Sequence, residues 1–252
     1  MSFNPVRFLL PAVVGILLLI IPSLSRAQVV QGFESGLPST LGDVGWVNAA
    51  TAGTPPEGLR MAFLTTFGPA NFGGAFGSDA VPVANLQTYA GVPAGTIILN
   101  GTNLGIQGSA IQLTLALNPG DQLGFKYKLL TDESQPTPVR KDFAWLVMKP
   151  EAGATYYQAF DHVGMGGFSL TSAAGPLIDY FSWETPWRTY SVAASVSETF
   201  TITIGIADAT SNQFNSGMLI DAITVTPVPE PAVWGLLGAF LAILLVGIRR
   251  KR

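Results

Sequence analysis

The chain has 252 residues, 48% of them apolar and only 12% charged, with a formal net charge of −3 and no cysteine. Without cysteine there is no disulfide, thiol nucleophile or thiolate metal site, so an exported domain of this sequence must be stable through packing alone. The single histidine, His162, excludes a metal centre built from several histidines.

The chain opens with Arg7, an apolar run over 8–21, Pro22 and then Ser25-Arg26-Ala27. A positive start, an apolar stretch and small residues at the −3 and −1 positions predict a secretory signal helix, residues 1–27, cut before Gln28. Retention of the segment as an N-terminal anchor is the other reading. The middle, 28–226, is about 200 residues, a size suited to one domain. Six of the 13 basic residues lie in the two end segments, against only Glu230 of the 16 acidic ones, so the middle carries 7 basic and 15 acidic groups, a net of −8. Such a surface repels nucleic acid, which is not expected as a partner.

Within the middle, Ile111, Leu113, Leu115 and Leu117 alternate with Gln112, Thr114 and Ala116, and Leu123, Phe125, Tyr127 and Leu129 alternate with Gly124, Lys126 and Lys128. This period of two predicts two strands. Asn118-Pro119-Gly120-Asp121 between them reads as a tight turn, and the pair is expected to form an antiparallel hairpin. Phe200, Ile202, Ile204 and Ile206 repeat the pattern, and further strands are expected over 29–33, 59–64, 143–149, 189–193 and 219–225. Gly- and Pro-rich stretches separate them, and no long helical periodicity occurs outside the terminal segments. The fold class is therefore all-β, a jelly roll or β-sandwich, flanked by the N-terminal signal helix and a C-terminal transmembrane helix.

The end of the chain, 227–252, has three parts: Val228-Pro229-Glu230-Pro231, an uncharged apolar run over 232–248, and Arg249-Arg250-Lys251-Arg252. Seventeen helical residues at about 1.5 Å each span roughly 25 Å, slightly short of the ~30 Å hydrocarbon core. Trp234 at one interface and snorkelling basic side chains at the other make up the difference, with the basic end cytoplasmic. A buried core helix is the alternative, disfavoured by the basic cluster that follows. Pro229, Glu230 and Pro231 before this helix and its Arg-rich end resemble the PEP-CTERM sorting signal. That resemblance implies a Gram-negative bacterium producing extracellular polysaccharide, and an exosortase, a membrane-embedded cysteine transpeptidase, as the partner that processes the tail. The product would sit at the cell surface or in the extracellular matrix of a biofilm.

Gly32-Phe33-Glu34-Ser35-Gly36, Gly45-Trp46, Pro56-Glu57-Gly58 with Arg60-Met61-Ala62, and Leu219-Ile220-Asp221-Ala222-Ile223 resemble jelly-roll domains of the carbohydrate-binding-module type. The resemblance implies a structural calcium held by Glu34 and Asp221 through hard oxygen ligands. The alternative is a solvated turn carboxylate and a surface strand residue; no other cofactor is expected. In Asp179-Tyr180-Phe181-Ser182-Trp183-Glu184-Thr185-Pro186-Trp187, the rings of Tyr180, Trp183 and Trp187 beside carboxylates are candidates for stacking on sugar faces. Core packing with one exposed turn is the plainer reading of the same residues. No catalytic residue is expected: His162 lacks a Gly-x-Ser-x-Gly partner, and no phosphate-binding loop is present. The expected function is thus a noncatalytic exported surface protein with polysaccharide as its candidate ligand, with a secreted carbohydrate-active hydrolase and a purely structural surface component as alternatives.

Overall fold

The computed structural model describes residues 28–67, 75–133, 141–171, 180–209 and 214–228, together with Gly238. The expected signal segment 1–27 and the tail carrying Pro229, Glu230 and Pro231 lie outside the described residues, Gly238 apart. Among the described residues no helix is long and apolar enough to cross a membrane.

The strands follow in chain order. β1 (Gln28–Gln31), β2 (Ser39–Leu41) and β3 (Val44–Asn48) precede one helical turn, α1 (Ala49–Ala52), and β4 (Arg60–Thr65). Next come β5 (Val81–Pro82), helix α2 (Val83–Ala90), β6 (Ile98–Leu99), and the long strands β7 (Asn103–Leu117) and β8 (Gln122–Thr131). β9 (Phe143–Pro150), β10 (Tyr156–His162), β11 (Ser169–Leu170), β12 (Trp183–Glu184) and β13 (Arg188–Ala193) lead to β14 (Glu198–Ala209) and β15 (Ser216–Thr226).

Among the described residues, one sheet has the order β11-β12-β8-β15-β4-β3, with β13 also on β8 and β1 also on β15. The other runs β10-β9-β14-β7-β2, with β5 and β6 on β7. Every pairing is antiparallel. The domain is a β-sandwich because one row of side chains from each sheet is apolar. Phe125, Tyr127 and Leu129 of β8 and Met218 and Ile220 of β15 meet Ile111 and Leu117 of β7 and Ile202, Ile204 and Ile206 of β14. Burying each such large side chain contributes roughly 1.5–3 kcal/mol.

The expected hairpin over 111–129 is corrected by this topology. β7 pairs with β14 in one sheet, whereas β8 pairs with β15 in the other, so the turn between them carries the chain across the sandwich. In a hairpin both apolar rows would point to the same side of one sheet; here they face each other across the core. The crossing is fixed by its own hydrogen bonds. Asn118 N–H donates to Asp121 Oδ2 at 2.9 Å, and Ala194 N–H donates to Asp121 O at 2.9 Å.

The outer faces are covered unequally. On the first sheet, Met61, Phe63, Leu130 and Leu219 pack beneath Phe67 and Phe181, with Phe76 and Trp187 against them. On the second, α2 lays Leu86 and Ala90 over Phe143, Trp145 and Val147. The helix stops at Gly91, whose φ of +66° lets Val92 N–H turn back to Gln87 O at 2.9 Å. Because α2 is only eight residues long, the rest of that face is left open.

Candidate functional site

The open part of the second sheet is floored by polar side chains in register. The alternation that sends Phe200 and Ile202 inward sends Thr199, Thr201 and Thr203 outward, opposite Ala116, Thr114 and Gln112 of β7. Lys149 of β9 stands beside Thr201 on the other flank. Two adjoining hollows lie over this floor. One, of about 220 Å³, is lined by Tyr89, Gly91, Gln112, Lys149, Glu151 and Thr201. The second, of about 440 Å³, shares Glu151 and continues past Thr199, Ser197, Glu198 and Asn118. Gln112 is fixed by donating from Nε2 to Tyr89 O at 2.8 Å and to Thr203 Oγ1 at 3.1 Å. Hydroxyls that both donate and accept, an amide, an ammonium and carboxylates make a surface matched to a ligand rich in hydroxyl groups. None of these residues was singled out from the sequence; the only signal was the polar half of the alternation, which reads as an ordinary solvated face.

Glu34 and Asp221 are brought to one place, the loop leading into β4. Glu34 Oε1 accepts from Leu59 N–H at 2.7 Å and Arg60 N–H at 2.8 Å, and these bonds hold its carboxyl below the usual range. Asp221, fully buried, accepts from Glu57 N–H at 2.8 Å and from Ala222 N–H at 2.7 Å. Burial, with the charges of Glu57 and Glu34 adding to it, pushes Asp221 up to about 6. Glu57 is thus a third carboxylate of the cluster, which the segment Pro56-Glu57-Gly58 does not mark as a ligand in sequence. Glycines make room for the acids: a Cβ on Gly32 would lie 2.1 Å from Glu57 Oε2, and one on Gly58 2.2 Å from Glu34 Oε1. Glu57 Oε2 is buried and meets no hydrogen-bond donor. That orphaned oxygen, among three acids, fits the chemistry of a hard cation. As the side chains stand, no group of three or more Asp, Glu, His or Cys residues among the described residues is placed to hold a metal ion, so backbone carbonyls and water would have to complete the shell.

The aromatic segment does not form one platform. Tyr180, half exposed, meets Phe67 edge-on at 5.7 Å between ring centroids, and Trp187 packs on the outer face of the first sheet with Lys128 Nζ 5.8 Å from its ring centroid. Trp183 pairs with Thr131, while Glu184 pairs with Leu130 and forms an ion pair with Lys128 at 3.1 Å. Leu130 belongs to that outer face, so the alternation directs Trp183 to the opposite one. His162 caps a short turn: its Nδ1 accepts from Gly164 N–H at 3.0 Å, and burial lowers its pKa.

No protein-family model matches the sequence, and no curated protein is similar to it. Solved structures with a similar arrangement include TmCBM61 in complex with β-1,4-galactotriose, at a TM-score of 0.41 and 11% identity over 81% of this chain and 100% of that one. The K2 cleaved adhesin domain of Lys-gingipain gives a TM-score of 0.41 and 10% identity over 82% and 100% of the two chains. The K3 cleaved adhesin domain of Lys-gingipain from Porphyromonas gingivalis w83 gives 0.39 and 9% over 80% and 99%. At these scores and identities the likenesses assign neither a site nor a ligand.

Proposed function

We propose that this chain is an exported, noncatalytic surface protein whose β-sandwich binds a polysaccharide along the open outer face of its second sheet. The carrying observation is the pair Thr199 and Thr201 beside Gln112 and Lys149, lying under two adjoining hollows that share Glu151. A linear polymer of sugar units suits a floor of repeating hydroxyls that runs with the strands. The PEP-CTERM-like tail, Pro229-Glu230-Pro231 with the apolar run and basic end, delivers the domain: it anchors the exported chain in the membrane until an exosortase processes it. A calcium ion at Glu34, Glu57 and Asp221 would neutralise the three acids and tie the loop before β4 to β15.

A hydrolase is the second reading, because Glu151 and Glu198 line the same hollow. Both stand at its open rim, and Glu198 Oε2 already accepts from Ala152 N–H at 2.9 Å, so neither sits in the water-excluded pocket that glycoside cleavage uses. The test is a glycan array probed with the full chain in mild detergent, with Thr201→Phe as the blocking variant. Binding reduced at least about tenfold by that change, without release of reducing sugar, supports the proposal. Binding unaffected by it, or turnover of the bound glycan, overturns it.

A further inference from the structure

Asp142 and Asp208 meet between the two sheets at one end of the sandwich. Asp142, 3% exposed, stands directly before β9, and Asp208, 0% exposed, lies near the end of β14, so both belong to the second sheet. Both are linked to the first sheet. Ser216 Oγ, on the first residue of β15, donates to Asp142 Oδ2 at 2.7 Å, and Gln107 Nε2, which holds Asp208, also donates to Thr66 O, just past β4, at 3.0 Å. The other donors are neutral as well: Ala209 N–H to Asp142 Oδ1 at 3.1 Å, and Gln107 Nε2 to Asp208 Oδ2 at 3.1 Å.

The register that pairs Ala207 with Phe143 sets Asp208 beside Asp142, and Asp208 Oδ1 is buried with no hydrogen-bond partner. Two ionised carboxylates offer only acceptors, so a contact between them needs a hydrogen or a cation in the middle. A hydrogen needs only these two oxygens, whereas calcium needs about six to eight. The surrounding charge disfavours double ionisation further. Asp132, just past β8, adds negative charge toward Asp142, its neighbour Glu133 is also buried, and β4, β7 and β15 contribute the neutral Thr66, Gln107 and Ser216.

We propose that Asp142 and Asp208 hold one proton between them and act as a proton-dependent clasp tying the two sheets together at this end of the domain. Burial pushes Asp142 up to about 6, and burial together with the charge of Asp142 holds Asp208 well above the usual carboxylate range. When the shared proton leaves, two like charges remain in a dry gap between the sheets, and the clasp becomes a repulsion.

The test is a carboxyl-carbon NMR titration of the full chain in mild detergent, labelled at aspartate, with melting midpoints of the wild type, Asp208→Asn and Asp142→Asn. One carboxyl of the pair is expected to stay protonated at neutral pH, and its signal to vanish in Asp208→Asn. The fall in midpoint between about pH 5 and about pH 8 should be roughly twofold smaller in either variant. Ordinary carboxylate titration of both groups in the wild type overturns the clasp, whether or not the variants fold. So does an unchanged fall in a folded variant. A calcium-dependent rise in midpoint that Asp208→Asn abolishes also overturns it, because a cation would then occupy the proton's place.

Discussion

The indole of Trp145 fills the space that Gly205, its partner on the neighbouring strand, leaves open. A Cβ on Gly205 would lie 2.3 Å from Trp145 Cζ2 and 2.8 Å from the backbone oxygen of Ser109, and neither can withdraw, since Trp145 is fully buried beneath α2. Gly205→Ala should therefore destabilise the domain by about 2–3 kcal/mol through overpacking. Urea unfolding of the variant beside the wild type measures it; a loss of only a few tenths would show that the indole can move.

Asp43 holds a loop onto the first sheet. Its fully buried carboxylate accepts from Ala75 N–H and Phe76 N–H, each at 2.8 Å, and from the Thr65 hydroxyl. Phe76 is thereby seated on the backbone of Gly45, where a Cβ would come within 2.0 Å of the ring. Asn offers one acceptor where the carboxylate offers two, so Asp43→Asn should lose about 2 kcal/mol and Asp43→Ala about 3 kcal/mol. Denaturant midpoints order the pair, and equal values would mean that the side chain's shape matters more than its acceptors.

The pH dependence at Asp221 has a definite sign. Its carboxyl moves from 3.8 to about 6 on folding, so between these values the folded state holds a proton that the unfolded state has released. The contribution is complete below the lower value and is lost as pH rises through the upper one. Calcium acts in the opposite sense, since it binds the ionised form. Millimolar calcium is expected to raise the melting midpoint at about pH 7.5 and not at about pH 4.5, and Glu57→Gln to remove that effect. Identical midpoints in calcium and in chelator at the higher pH would dismiss the metal.

Arg188 neutralises Asp161 where β13 faces the end of β10. Nη1 lies 2.5 Å from Asp161 Oδ2, the Tyr127 hydroxyl donates to the same oxygen at 2.9 Å, and Nη2 donates to Gly166 O at 2.7 Å. Asp161 is buried, whereas the Arg188 side chain is about a quarter exposed at 24%, so the pair is partly screened. Arg188→Met should cost about 2 kcal/mol by stranding the carboxylate, and Asp161→Asn in that background should recover part of it. Thermal unfolding of both variants decides this; a double variant weaker than the single would place the stability in the aspartate's other contacts.

The strands were legible wherever one face is polar. β7, β8 and β14 declared themselves through Gln112, Lys126 and Thr201, whereas β5, β6, β11 and β12 have two residues each and are too short to show any period. Alternation states which side of a strand is apolar but not which sheet it joins, and this is why the turn at Asn118-Pro119-Gly120-Asp121 read as a hairpin. Helix α2 was hidden for a similar reason: Leu86 and Ala90, one turn apart, do not establish a helical period. The pairing of Glu34 with Asp221 entered through resemblance. The cleft residues, Glu57, and the meeting of Asp142 with Asp208 depend on tertiary register, which composition does not encode.

The crossing between β7 and β8 also bears on the order in which the fold can assemble. The two strands do not pair with each other; beyond its short pairings with β2, β5 and β6, β7 waits for β14, and β8 waits for β13 and β15. β15 also supplies the edge for β4 and for β1, the first described strand. A nascent chain that has not yet released residues 216–226 thus has no first sheet to complete, and contacts of such long sequence separation form slowly. The first sheet is therefore completed only when β15, the last described strand, is in place.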